Sequence, residues 1–205
     1  MIWNVPNMLT WLRILAIPAI VLLFLYGTRH PLSAADPLAG VLFAAAALTD
    51  TLDGYLARRL GQTTRLGTFL DPVADKLIVA VALVLVVSRD PRTVIVLTAA
   101  VIIGREIAIS ALREWMAGIG QRTAVAVSRI GKFKTILQMV GVTLLLFRID
   151  LDGLPIYLIG QWLTVIAAAL TLISMGLYLR SAWPHLSASA CPHRPDSLPA
   201  SPADL

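Results

Sequence analysis

The chain is short of charge and has a single cysteine. Only 14% of its 205 residues are Asp, Glu, Lys or Arg, against 58% hydrophobic, and the mean hydropathy is +0.79. That balance excludes an ordinary water-soluble domain. The lone thiol, Cys191, lies in a polar C-terminal stretch, so neither an intramolecular disulfide nor a cysteine metal cluster is possible. His30, His185 and His193 are scattered over loops and tail and form no ligand set. Acidic residues are scarcer than basic ones, 12 against 17, for a formal charge of +5. The excess suits contact with anionic lipid or phosphate, whereas nucleic acid would need a basic surface outside the membrane that the chain has little room to build.

What the sequence does have is apolar length. Six segments, near 8–27, 37–60, 71–88, 92–115, 132–148 and 155–180, are long enough or nearly long enough to cross a bilayer. The expected fold is therefore all-α, a polytopic membrane protein with six transmembrane helices in one catalytic domain, residues 1–180. The stretch from Thr10 to Tyr26 lacks a persuasive processing site and reads as a retained helix. The third segment is apolar only from Leu77 to Val87 and reaches spanning length only if Pro72 takes the first helical position after Asp71. Residues 1–6, with Trp3, read as a short interfacial start, Trp11 and Trp115 as further anchors, and Pro-, Ser- and Ala-rich 181–205 as a flexible tail. Gly40, Gly118, Gly141 and Gly176 read as close-packing or turn positions. Arg58, Arg59 and Arg65 follow the second helix and Arg113, Arg122, Arg129, Lys132 and Lys134 the fourth, while the other side carries only Arg29, Arg89, Arg92 and Arg148. The positive-inside rule then puts both termini in the cytoplasm.

Charge inside such a chain is costly, yet Asp50, Asp53, Asp71 and Asp75 occur together in the pattern D-x2-D-G-x2-A-R-x8-G-x3-D-x3-D. A single aspartate at a helix end usually caps it or meets solvent. Four at these spacings do something else. Asp50 and Asp53 fall within about 60° of each other on a helix, in a stripe with Gly54 and Ala57, and Asp71 and Asp75 share a face of the next helix. Two such helices can gather the four carboxylates around one or two divalent ions, and oxygen-only ligands favour Mg²⁺, with Mn²⁺ as a substitute. Gly54 and Ala57 let a flat group or a phosphate approach the backbone, and Arg58 can neutralise phosphate oxygens. On the first helix, Asn7 and Thr10 can satisfy its first turn or orient a carboxylate, and Arg13 can snorkel to a phosphate or head group.

The run from Asp50 to Asp75 resembles, without a gap, the signature of the CDP-alcohol phosphatidyltransferase family. Within it the likeness is to bacterial members that use glycerol 3-phosphate, carried by PNMLTWLR from Pro6, GREIAISALREW from Gly104 and VSRIGKFKTILQM from Val127, although Ala111 and Arg129 stand where glycine and an aromatic are frequent. The resemblance implies that Asp50, Asp53 and Asp71 bind a first Mg²⁺ and that Asp75 shares a second and acts as base. It implies CDP-diacylglycerol over Gly54, Ala57, Arg58 and Gly67. Arg105, Arg113, Lys132 and Lys134 are expected at the phosphate of glycerol 3-phosphate, with Glu106 as a partner that fixes arginine side chains. Phosphatidylglycerol, or inositol and its phosphate, remain alternative acceptors. The resemblance also implies a homodimer among membrane lipids in a bacterial inner membrane. A transporter or a purely structural subunit is the more distant alternative.

Overall fold

The computed structural model describes residues 5–30, 34–60, 65–118, 129–148 and 153–188. They form six helices: α1 (Val5–Arg29), α2 (Ala35–Leu60), α3 (Arg65–Arg89), α4 (Thr93–Gly118), α5 (Arg129–Phe147) and α6 (Ile156–Ala188). Long runs of Leu, Ala, Val and Ile without paired turn residues account for them, since an apolar backbone must satisfy its own hydrogen bonds. Two boundaries differ from expectation. Helix α3 starts at Arg65, so Pro72 lies inside it rather than at its first position; Pro72 removes a single backbone donor, and the rest of the ladder closes within α3 itself. Helix α6 runs to Ala188, past the expected domain edge at 180. Trp3 and the rest of the tail lie outside the described residues.

The bundle is apolar outside and encloses a few polar and charged side chains within an apolar core. Arg13, Arg105, Lys134, Gln138, Thr164, Thr171 and Ser174 are buried, while Leu15, Leu22, Leu48, Leu97, Ile107 and Ile136 are each more than half exposed. Large apolar side chains facing outward on every side mark a molecule surrounded by lipid. Thr10–Arg29, Thr93–Gly118 and Ile156–Leu177 are long and apolar enough to cross a membrane, and Ala35–Thr49 and Phe133–Phe147 are shorter apolar helices. The chain is a multi-pass membrane protein. Trp11 and Trp115 are part exposed, as anchors require.

Helix α1 packs along α2 and α3, α5 along α2 and α6, and α4 joins α3 and α6. The core between them is built on Ile20, Phe43, Leu83, Ile102, Val142 and Leu146. Two crossings are set by glycine. A Cβ on Gly40 would stand 2.9 Å from Phe147 Cα, and one on Gly141 would stand 2.9 Å from the Thr164 backbone nitrogen. Gly160 does the same from the α6 side, 3.0 Å from the Gly141 carbonyl oxygen. Gly118 and Gly176 face open space, so Gly176, in mid-helix, is neither a packing nor a turn position.

One end of the bundle is pinned by ion pairs. Arg89 donates to Asp36 at 2.6 Å and to the Gly27 carbonyl at 3.0 Å, beneath the Phe24 ring, tying α1, α2 and α3. In the α3–α4 connection, Asp90 accepts from Arg92 at 2.7 Å and from the Tyr157 hydroxyl of α6, while Arg92 also donates to Gln161 at 2.9 Å. The Arg92 hydrogen bond holds the Asp90 carboxyl well below the usual carboxylate range, outweighing burial, which acts the other way. A depressed carboxyl contributes stability above its unfolded pKa and loses it as pH falls toward the folded one. Asp90→Asn should therefore lower the melting temperature in detergent at pH 7, and the gap to the parent should close as pH drops below about 4. A gap that stays constant with pH would show that Asp90 contributes by shape alone.

Candidate functional site

Because α3 begins at Arg65, Gly67, Asp71 and Asp75 stand one turn apart along a single helix face near its start. Asp50, Asp53, Gly54, Ala57 and Arg58 occupy the last turns of α2, at the same end of the bundle. The side chains of Asp50, Asp53, Arg58 and Lys132, with the positions of Gly54 and Ala57, lie outside the described residues beyond their helical backbone. Among the described residues no three His, Cys, Asp or Glu gather as a metal site.

One contact at this end comes from α1. Arg13 is 1% exposed and donates from Nη1 to Asp71 Oδ1 at 3.3 Å, while Asp71 keeps 44% of its side chain open. Arg13 thus turns inward onto the acidic face and does not snorkel outward. A permanently charged guanidinium in an apolar bundle needs a carboxylate, and the carboxylate it takes belongs to the signature. The α1 start at Val5 also puts Thr10, buried, in the second turn rather than at a cap; the Asn7 side chain lies outside the described residues. Divalent metal fits the residues present: Asp71 has one oxygen oriented by Arg13 and an open remainder, and Asp75 follows one turn later with a second hard oxygen donor.

A second cluster is cationic. Arg105 on α4 is 7% exposed and Lys134 on α5 is 5% exposed, and the charges of Arg105, Glu106 and Arg113 all act on the Lys134 ammonium. Three of the four cations expected at an acceptor phosphate are therefore neighbours in space. Arg105 donates from Nη1 to Glu106 at 3.0 Å and from Nη2 to Ser174 Oγ on α6 at 3.3 Å, so Glu106 does fix an arginine. The Arg105 Nε–H is buried with no acceptor among the described residues. Gln138, one turn beyond Lys134, is buried on the same helix. On the lipid side, two apolar grooves flank α2. One, about 240 Å³, lies against α1 and reaches Thr49; the other, about 380 Å³, lies against α5 and reaches Leu48 and Thr135. Both end in the turn that precedes Asp50.

Sequence reasoning missed the inward turn of Arg13 and the part played by Ser174. A cation within an apolar run was the available signal for Arg13; a serine among small residues on α6 carries none.

Comparison with known proteins gives the family. Residues 3–173 match the family model described as CDP-alcohol phosphatidyltransferase. Proteins of Shigella flexneri serotype 5b (strain 8401) and Escherichia coli (strain K12) are each 49% identical over 88% of this chain and 95% of their own length. One from Pseudomonas fluorescens is 50% identical over 89% of this chain and 92% of its own. All three carry the name CDP-diacylglycerol--glycerol-3-phosphate 3-phosphatidyltransferase.

Arg13→Gln should keep the helix content and cut turnover and divalent-ion affinity about 10- to 100-fold, because Asp71 loses the partner that orients it. Parental metal affinity in this variant, followed by activity against free Mg²⁺, would show that the pair serves folding only.

Proposed function

The chain belongs to the CDP-alcohol phosphatidyltransferase family, and from that premise we propose that it transfers the phosphatidyl group of CDP-diacylglycerol to the sn-1 hydroxyl of glycerol 3-phosphate, giving phosphatidylglycerophosphate and CMP. The observation that supports the acceptor is the enclosure of Arg105 and Lys134 in the bundle, with the charges of Arg105 and Arg113 reaching the Lys134 ammonium. A neutral alcohol has no need of three cations, whereas a small phosphate dianion has. The names of the relatives, which match over nearly their whole length, support the same reading.

In this reading Asp50, Asp53, Asp71 and Asp75 hold two Mg²⁺ ions, or Mn²⁺ in their place. Such ions supply positive charge against the pyrophosphate and the departing CMP. The residues of the chain do the rest. Gly54, Ala57 and Gly67 give the cytidine room against the helix backbones, Arg58 meets the phosphates, and the two acyl tails take the apolar grooves on either side of α2. Arg13 keeps Asp71 in register. Lys132, Lys134, Arg113 and Arg105 seat the acceptor phosphate so that its distal hydroxyl points back toward α3. Asp75 takes the hydroxyl proton as the oxygen forms its bond to the phosphorus bearing diacylglycerol, and the bond to CMP breaks in line. No covalent enzyme intermediate is required. The excess of Lys and Arg in the connections at this end supports placing it, with both termini, on the cytoplasmic side of a bacterial inner membrane. A homodimer and surrounding anionic lipid complete the proposal.

Purified protein in detergent with CDP-diacylglycerol and Mg²⁺ should release CMP only when glycerol 3-phosphate is added, with phosphatidylglycerophosphate seen by mass. CMP release that depends instead on phosphatidylglycerol or inositol would reassign the acceptor. Asp75→Asn should lower kcat at least about 100-fold with the fold intact, since an amide cannot accept the proton; near-parental turnover excludes it as base. Lys134→Ala should raise the glycerol 3-phosphate KM about 10-fold or more with a smaller change in kcat. A change confined to the CDP-diacylglycerol KM would move Lys134 to the other substrate.

A further inference from the structure

The buried face of α6 is made of small and hydroxylated residues: Thr164, Ala167, Ala168, Thr171 and Ser174. Thr164 donates to the Gly160 carbonyl within its own helix at 2.7 Å, and Thr171 Oγ1 has no hydrogen-bond partner among the described residues. Among the described hydroxyls on this face, Ser174 is the one bonded to another helix. Its own proton goes to the Thr171 carbonyl at 2.9 Å. With that proton committed, the oxygen can present only lone pairs to α4, and Arg105 Nη2 donates to it at 3.3 Å.

This contact is small but fixes an angle. Glu106, the next residue on the same helix, takes Nη1 at 3.0 Å, which by itself leaves the guanidinium free to swing about that point. Ser174 supplies the second point, from a different helix, so the plane of the fork is set. Phosphate recognition by arginine depends on that plane, because the donors are rigidly forked. The Nε–H, with no acceptor among the described residues, is left as an unused donor of a fixed fork whose charge acts on Lys134.

We propose that Ser174 is a positioning residue for the acceptor pocket: it sets the Arg105 guanidinium for the phosphate of glycerol 3-phosphate and makes α6 a determinant of acceptor affinity. This rests on the acceptor reading given above. Its logic is local. Losing one buried hydroxyl removes no substrate contact and little volume, so it acts on the acceptor through Arg105 alone.

The test is steady-state kinetics on full-length protein with both substrates varied. Ser174→Ala should raise the glycerol 3-phosphate KM about 5- to 10-fold, with kcat and the CDP-diacylglycerol KM within about twofold of the parent. Ser174→Thr, which keeps the hydroxyl and its intrahelical bond, should return KM to within about twofold. In an Arg105→Lys background, where an ammonium cannot span Glu106 and Ser174 in the same way, Ser174→Ala should add less than about twofold. A parental KM in Ser174→Ala, an equal rise in both KM values, no recovery in Ser174→Thr, or effects that multiply in the double variant would each overturn the assignment while leaving the acceptor reading intact. A parent inert toward glycerol 3-phosphate, but active with another alcohol, would overturn both.

Discussion

A guanidinium cannot give up its proton to enter an apolar bundle, and the carboxylate end is organised by that constraint. Arg13 is almost wholly enclosed, so it must be met by negative charge, and Asp71 meets it. Arg105 is enclosed on the other side of the bundle and is met by Glu106 and Ser174. Removing Asp71 or Glu106 leaves an enclosed cation without its carboxylate and is destabilising, by less than in a fully buried pair because both carboxylates keep open surface. The same two pairs carry the chemistry proposed for the site. What keeps the cations soluble in the protein interior also aims one carboxylate at metal and one fork at phosphate.

The two ends of the bundle use charge differently. At one end Asp36, Arg89, Asp90 and Arg92 close on one another and on Tyr157 and Gln161, leaving a saturated set of pairs. At the other end the pairs are incomplete by design of the fold: Asp71 stays nearly half open and Arg105 retains a donor. Saturated pairs hold helices, and unsaturated ones hold ligands. Between them, glycine at 40, 141 and 160 lets α2, α5 and α6 approach closely enough to keep the two ends in register.

Much of this was legible in the sequence, for reasons that differ from residue to residue. The six helices follow from apolar length, and the acidic pattern is legible because charge in such a chain is rare. The convergence of Arg105, Arg113 and Lys134 was read from a resemblance, and their proximity in space agrees with it. The α3 start was misplaced because proline is read as a helix opener, a rule drawn from helices in water, where an interior proline has no neighbours to support the freed carbonyl. Arg13 was misread because a long side chain near a helix end can reach either outward to a head group or inward to a partner 58 residues away, and only the fold decides which. Ser174 carries no signal of its own, since its role lies in the direction of one lone pair.

The distance along the chain between Arg13 and Asp71 also has a temporal meaning. Ribosomal synthesis adds about 5 to 20 residues per second, so α1 is complete seconds before Asp71 exists. During that interval the long stem of the arginine lets the cation rest at the membrane surface. Arrival of α3 offers the Asp71 carboxylate, so that the first helix, packed along the second, also becomes tied by charge to the third. The pair therefore joins two helices made seconds apart, and a chain without α3 lacks the carboxylate that Arg13 meets in the finished bundle.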